Sequence, residues 1–132
     1  MGVHTVSCMK HTTTKKAILI NAKANTVSIV EVGEYTDIYK HCGFETFTCV
    51  GLPQEKETLY VDDEGLINGT DYGFSINGYQ DPLFGNGLIL GTRSNGDSRD
   101  TDITLEEIAE SVRCFRKAGR MLIRSADNPR IV

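Results

Sequence analysis

The stretch from Tyr60 to Thr92, YVDDEGLINGTDYGFSINGYQDPLFGNGLILGT, holds most of the chain's 13 glycines. Short apolar runs alternate in it with Asp-Asp-Glu-Gly, Asn-Gly and Gly-Asn-Gly clusters. Asp side chains bond their own backbone and glycine accepts positive φ, so each cluster turns the chain. None of the runs between them is long enough for an ordinary helix. A chain organised around such a segment must be rich in short strands. A site is expected here, or where this stretch meets the basic C-terminal helix.

The flanks read as scaffold. Lys16 to Asn21 (KAILIN) and Thr26 to Val32 (TVSIVEV) alternate by two around a turn at 22–25, which predicts a β-hairpin. A short helix follows, with Thr36 as cap, Ile38 packing inward and Gly43 as left-handed stop. Phe44 to Leu52 is a strand closed by Pro53. Thr58 to Val61 is the next, with Leu66-Ile67 as its partner beyond the Asp62–Gly65 turn. Tyr72 to Ile76 and Gly87 to Gly91 are compact strands, and Arg93 to Asp102 is a polar loop. Thr104-Leu105-Glu106-Glu107 is a capping box. Leu105, Ile108, Ala109, Val112, Phe115 and Leu122 then recur at helical spacing. They predict one amphipathic helix from Leu105 to about Arg120, packed on a mostly antiparallel sheet. The fold class is α+β, as a single domain over 16–132. Residues 1–15, polar and rich in Thr, read as a flexible arm or a weakly tied first strand.

At 39% hydrophobic and 24% charged residues, the chain has the composition of a soluble domain. It has no apolar run that could span a bilayer, and its first residues lack a signal peptide's apolar core. The expected location is the cytoplasm, bacterial or that of an infected host cell. There Cys8, Cys42, Cys49 and Cys114 stay reduced. Cys49 and Cys114 lie in apolar patterns and are expected in the core. Cys8 and His11 with His41 and Cys42 lack metal-knuckle spacing, so neither metal nor cofactor is expected. The net charge is −4. Nearly all acids lie between residues 31 and 110, whereas Arg113, Arg116, Lys117, Arg120, Arg124 and Arg130 face only Asp127. Such a chain is a poor general nucleic-acid binder, but its basic end can hold a small anion or an acidic partner.

No catalytic constellation appears, and no enzyme is expected. Ser75 lacks the second glycine of a nucleophile elbow. Asp62, Asp63 and Glu64 lack calcium-loop spacing and read as a solvated turn. Gly85-Asn86-Gly87 misses the Rossmann spacing and leads into a strand. Those glycines mark tight turns or close approach of backbone to something. The most functional-looking group is composite: Tyr72, Phe74, Tyr79 and Phe84 among Asn68, Asn77 and Asn86, followed by Arg93. An aromatic plane stacks on a flat ring, Asn reads its edge, and an Arg fork holds phosphate or carboxylate. On the expected helix, Arg113, Arg116 and Arg120 would share one face. The candidate ligand-binding set is therefore Tyr72, Phe74, Asn77, Tyr79, Phe84, Asn86, Arg93, Arg113, Arg116 and Arg120. The competing reading is a core aromatic cluster beside a solvated helix end.

Five segments carry a resemblance. They are Lys16–Ile20, Leu59–Gly65, Tyr72-Gly73-Phe74, Phe84–Gly87 with Gly91, and Thr104–Glu107. From Lys16 to Ile108 the chain resembles a family of small uncharacterised proteins of phages, prophages and mobile elements. The resemblance implies a non-enzymatic accessory protein, expected to act in anti-defence. One such class, the Thoeris anti-defence sponges, sequesters nucleotide immune signals without cleaving them. The implied ligand is a small anion such as a cyclic nucleotide or an ADP-ribose-like signal, held in a homo-oligomer. The alternative is a protein–protein inhibitor or adaptor that binds a host protein through the acidic surface from Glu31 to Asp81.

Overall fold

The computed structural model describes residues 14–33, 35–43, 47–51, 57–62, 70–79, 81–92 and 98–132. Strands β1 (Lys15–Asn21) and β2 (Thr26–Val32) form the expected hairpin, in register from Lys15 opposite Val32 to Asn21 opposite Thr26. Its turn ends on Asn25 at φ 58°, a left-handed conformation that Asn tolerates better than most side chains. Helix α1 (Tyr35–Cys42) follows and stops at Gly43, φ 78°, as its sequence requires. Next come β3 (Phe47–Gly51), β4 (Glu57–Asp62), β5 (Tyr72–Ile76), β6 (Leu83–Phe84), β7 (Gly87–Thr92) and β8 (Ser98–Arg99). The chain closes with α2 (Leu105–Ser111), β9 (Val112–Ala118), β10 (Met121–Arg124) and β11 (Arg130–Ile131).

Among the described residues, the strands make two sheets. One has seven strands, in the order β11-β2-β1-β7-β4-β3 with β8 beside β7; the other has four, in the order β10-β9-β5-β6. Among the described residues, every pairing is antiparallel except β11 on β2. Alternation along the central strands decides which residues go where. Ile18, Ile20, Val27, Leu59, Val61 and Ile89 pack from one face of the large sheet against Phe74, Ile76, Val112 and Cys114 of the small one. Ala17, Tyr60, Leu88 and Leu90 face the other way and pack with Ile38 of α1. Both faces of β1 and β7 are thus covered, which is why KAILIN and GLILG are almost continuously apolar. Among the described residues, no helix is long and apolar enough to cross a membrane.

The expected helix from Leu105 to about Arg120 is corrected. Its start is as read: Thr104 Oγ1 accepts the Glu107 N–H at 3.1 Å, and Glu107 Oε1 accepts the Thr104 N–H at 3.0 Å. The chain nevertheless leaves the helix after Ser111 and runs extended through Ala118. The cause lies elsewhere in the chain. The Asn77 N–H donates to the Ser111 carbonyl at 3.0 Å. Asn128 Nδ2 donates to the carbonyls of Ala109 at 2.8 Å and Val112 at 3.2 Å. Carbonyls left over at the helix end therefore find partners without another helical turn. Once extended, β9 sets Val112 opposite Ile76 and Cys114 opposite Phe74, all of them buried. Leu122, expected on the buried helix face, is 39% exposed on β10.

Cys114 is buried as expected, but Cys49 is exposed, because β3 is the outermost strand of its sheet. Most of the 1–15 arm, the Asp63–Gly65 part of the acidic turn, Leu66-Ile67, Asn68 and Arg93 lie outside the described residues.

Candidate functional site

Tyr72, Arg116 and Ile123 stand opposite one another on β5, β9 and β10, in one cross-strand row. The row continues the buried face formed by Phe74 with Cys114 and Ile76 with Val112. It lies past the end of the core, and there the face opens into a groove of about 490 Å³. The β1–β2 turn supplies the other wall through Lys23 and Asn25, and Asp71 precedes β5 at the same opening. Lys23 Nζ lies 5.9 Å from the centroid of the half-buried Tyr72 ring. Arg116 is exposed at the groove's edge. Two cations and an aromatic face thus meet in one concavity with a single carboxylate. Asn25 Oδ1 is buried in this wall and meets no hydrogen-bond donor among the described residues. Leaving a buried acceptor unpaired costs about 1–3 kcal/mol.

The structure disperses the remaining candidates. Phe74 is fully buried at the centre of the core and has no face to offer a ligand. Phe84 meets Phe115 edge to face, with ring centroids 5.3 Å apart. Tyr79 packs half-buried against the core, and Asn77 sits exposed in the turn after β5. The Asn86 side chain is occupied by backbone. Its Oδ1 accepts the Ala22 N–H at 2.9 Å, and its Nδ2 donates to the Cys42 carbonyl at 3.3 Å. It thereby ties the end of α1 to the first hairpin. Arg113 and Arg116 do not share a helix face, because on a strand residues three apart point to opposite sides. Arg113 turns away from the groove and donates to the Ser125 carbonyl at 3.3 Å and to Asn128 Oδ1 at 3.4 Å. Arg120 is exposed in the turn between β9 and β10. Of the candidate set, Tyr72 and Arg116 come together.

The close approach that the glycines of β6–β7 imply is to protein. A Cβ at Gly87 would lie 2.6 Å from Phe74 Cζ. Gly85, at φ 94°, makes the turn into β7.

Sequence reading missed Lys23, Asn25 and Asp71, because each looks like an ordinary turn residue until the two sheets are stacked. It also missed the buried carboxylate of Glu57. Glu57, Gly91 and Arg99 lie in one row across β4, β7 and β8. Arg99 reaches over Gly91, where any Cβ would overlap its guanidinium, and Nη2 meets Glu57 Oε2 at 3.0 Å. Thr101 Oγ1 donates to the other Glu57 oxygen, and Arg99 Nη1 pairs with Asp102 at 2.9 Å. This network fastens the segment before α2 to the large sheet.

Burial pushes the Cys42 thiol up to about 12 and the Cys114 thiol up to about 11. Neither is a thiolate at neutral pH. His41 Nε2–H donates to the Glu31 carbonyl at 3.0 Å. Among the described residues, no three His, Cys, Asp or Glu side chains are grouped to hold a metal ion.

A family model described as a domain of unknown function, DUF3846, matches residues 14–116. That span runs from the first hairpin into β9 and includes Lys23, Tyr72 and Arg116. No curated protein and no solved structure matches the chain.

Proposed function

The chain belongs to the DUF3846 family, a domain of unknown function, and from that premise we propose that it is a non-enzymatic module that sequesters a small anionic ligand carrying a flat ring, of the nucleotide class. The observation that carries this is the meeting of Lys23, Tyr72 and Arg116, from three separate elements, in one open groove of about 490 Å³. The ring of the ligand lies on Tyr72 in place of the Lys23 stem. The displaced ammonium and the Arg116 fork take the phosphates from two sides. In this reading Asp71, at the groove's opening, accepts a sugar hydroxyl. In the finer form of the reading the protein is a cytoplasmic phage or mobile-element factor, assembled as a homo-oligomer, that withdraws a nucleotide immune signal.

The test is a thermal-shift panel of mononucleotides, cyclic nucleotides and ADP-ribose, followed by mass spectrometry of the recovered compound. A ligand at a hundred times its Kd stabilises the fold by about 2.7 kcal/mol, a shift of several degrees. Arg116→Ala and Tyr72→Ala should abolish the shift, and the compound should come back intact. A panel without any shift at millimolar concentration refutes binding, and a cleaved compound refutes sequestration.

A further inference from the structure

Among the described residues, strand β10 ends the small sheet, and all four of its residues are exposed. Met121 is 69% exposed and Ile123 44%. Edge strands are ordinarily blunted by an inward charge, a proline, a bulge or a covering element. This one carries Met-Leu-Ile without interruption. Among the described residues, no strand pairs with its outer side. The Ser125 N–H donates to the Cys114 carbonyl at 2.8 Å, in line with the pairing of Ile123 with Arg116 and of Met121 with Ala118. Antiparallel alternation then turns the N–H and C=O of Leu122 and Arg124 away from β9, toward the free edge.

Charge decides what can dock there. From Arg116 to Arg124 the hairpin carries Arg116, Lys117, Arg120 and Arg124 and no acid, in a chain whose net charge is −4. A second copy of the same edge would bring a matching set of cations against these. The two faces also differ. Met121 and Ile123 lie on the side of Arg116, and Leu122 and Arg124 on the side of Lys117. An added strand therefore meets Met121 and Ile123 on one face and Leu122 and Arg124 on the other, with the cations Arg116 and Lys117 one strand further in.

We propose that the free edge of β10 docks an extended strand of a partner protein in which apolar and acidic side chains alternate. The backbone of Leu122 and Arg124 supplies the ladder. Met121 and Ile123 receive the apolar positions, and Arg124 with Lys117 receives the acidic ones. This surface is distinct from nucleotide binding in the groove, although Ile123 and Arg116 touch both, so the test leaves those two residues alone.

The experiment is fluorescence anisotropy with a fluorescein-labelled octapeptide of alternating Val and Glu. A Val–Lys octapeptide and a labelled oligothymidylate are the comparisons. The Val–Glu peptide should bind saturably, more weakly in high salt, and the Val–Lys peptide should not. Leu122→Pro removes the outward N–H at an edge position that tolerates proline. Arg124→Glu reverses the charge and leaves the backbone intact, so the test stands even if the proline variant fails to fold. Each should weaken Val–Glu binding roughly tenfold or more. Equal binding of both peptides, tighter binding of the oligothymidylate, or full affinity in Arg124→Glu would each overturn the proposal. So would a concentration-dependent dimer, seen by sedimentation, that Arg124→Glu leaves unchanged and that excludes the peptide.

Discussion

Replacing Arg99 by Ala removes one partner from a buried carboxylate. The Glu57 side chain is 2% exposed and that of Arg99 19%, and they meet at 3.0 Å across Gly91. After the change, Glu57 keeps the Thr101 hydroxyl and a long bond from the Asp102 N–H at 3.4 Å. Breaking a buried pair from one side costs about 3–5 kcal/mol, because the remaining charge stays desolvated. In a chain of this size that corresponds to roughly 12–20 °C in Tm, a large share of the ~5–15 kcal/mol that holds a domain together. Urea and thermal unfolding of Arg99→Ala measure the loss. The double replacement Glu57→Leu with Arg99→Met tests the cause, since removing both charges should recover most of the stability. A loss in Arg99→Ala of less than about 1 kcal/mol, the range of an exposed pair, would refute the reasoning. So would a double variant no more stable than the single one, which would make the effect one of packing and not of stranded charge.

Gly87→Ala should cost about 1–3 kcal/mol, since its Cβ would lie 2.6 Å from the fully buried Phe74 ring; a melting curve like that of the wild type would count against the packing described. Asn128→Ala should lose about 1 kcal/mol and speed amide exchange at the end of α2, because the Ala109 and Val112 carbonyls lose their donor. At pH 8 a thiol reagent should modify exposed Cys49 well before Cys42 or Cys114, read by peptide mass mapping of the native protein. Both buried thiols have raised values in the fold, so their contribution to stability is complete below about pH 9. It falls as pH rises toward 11 and 12, where the unfolded thiols have already ionised. Denaturation midpoints should therefore drop over that window, and less steeply in Cys42→Ser.

Local chemistry was legible in the sequence wherever a segment decides its own backbone. The first hairpin, the stop of α1 at Gly43 and the capping box at Thr104 each rest on contacts within a few residues. The extent of α2 was not legible. Leu105, Ile108, Ala109, Val112 and Phe115 suit a helix, while Val112 with Cys114 suits a strand face equally well. Asn77 and Asn128, distant in the chain, terminate the helix, and β5 recruits residues 112–116 as its strand partner. The candidate site divides in the same way. Its residue types could be named from sequence, but which arginine faces which aromatic depended on whether residues 112–118 advance by helix or by strand. Tertiary structure paired Tyr72 with Arg116, brought Lys23 over that ring, drew Asn86 and Arg113 onto backbone carbonyls and buried Glu57 beneath Arg99. Turns and caps are settled by neighbours in the chain. The identity of a wall, a clamp or a buried pair is settled by strand partners many residues away, and no local pattern encodes the choice among them.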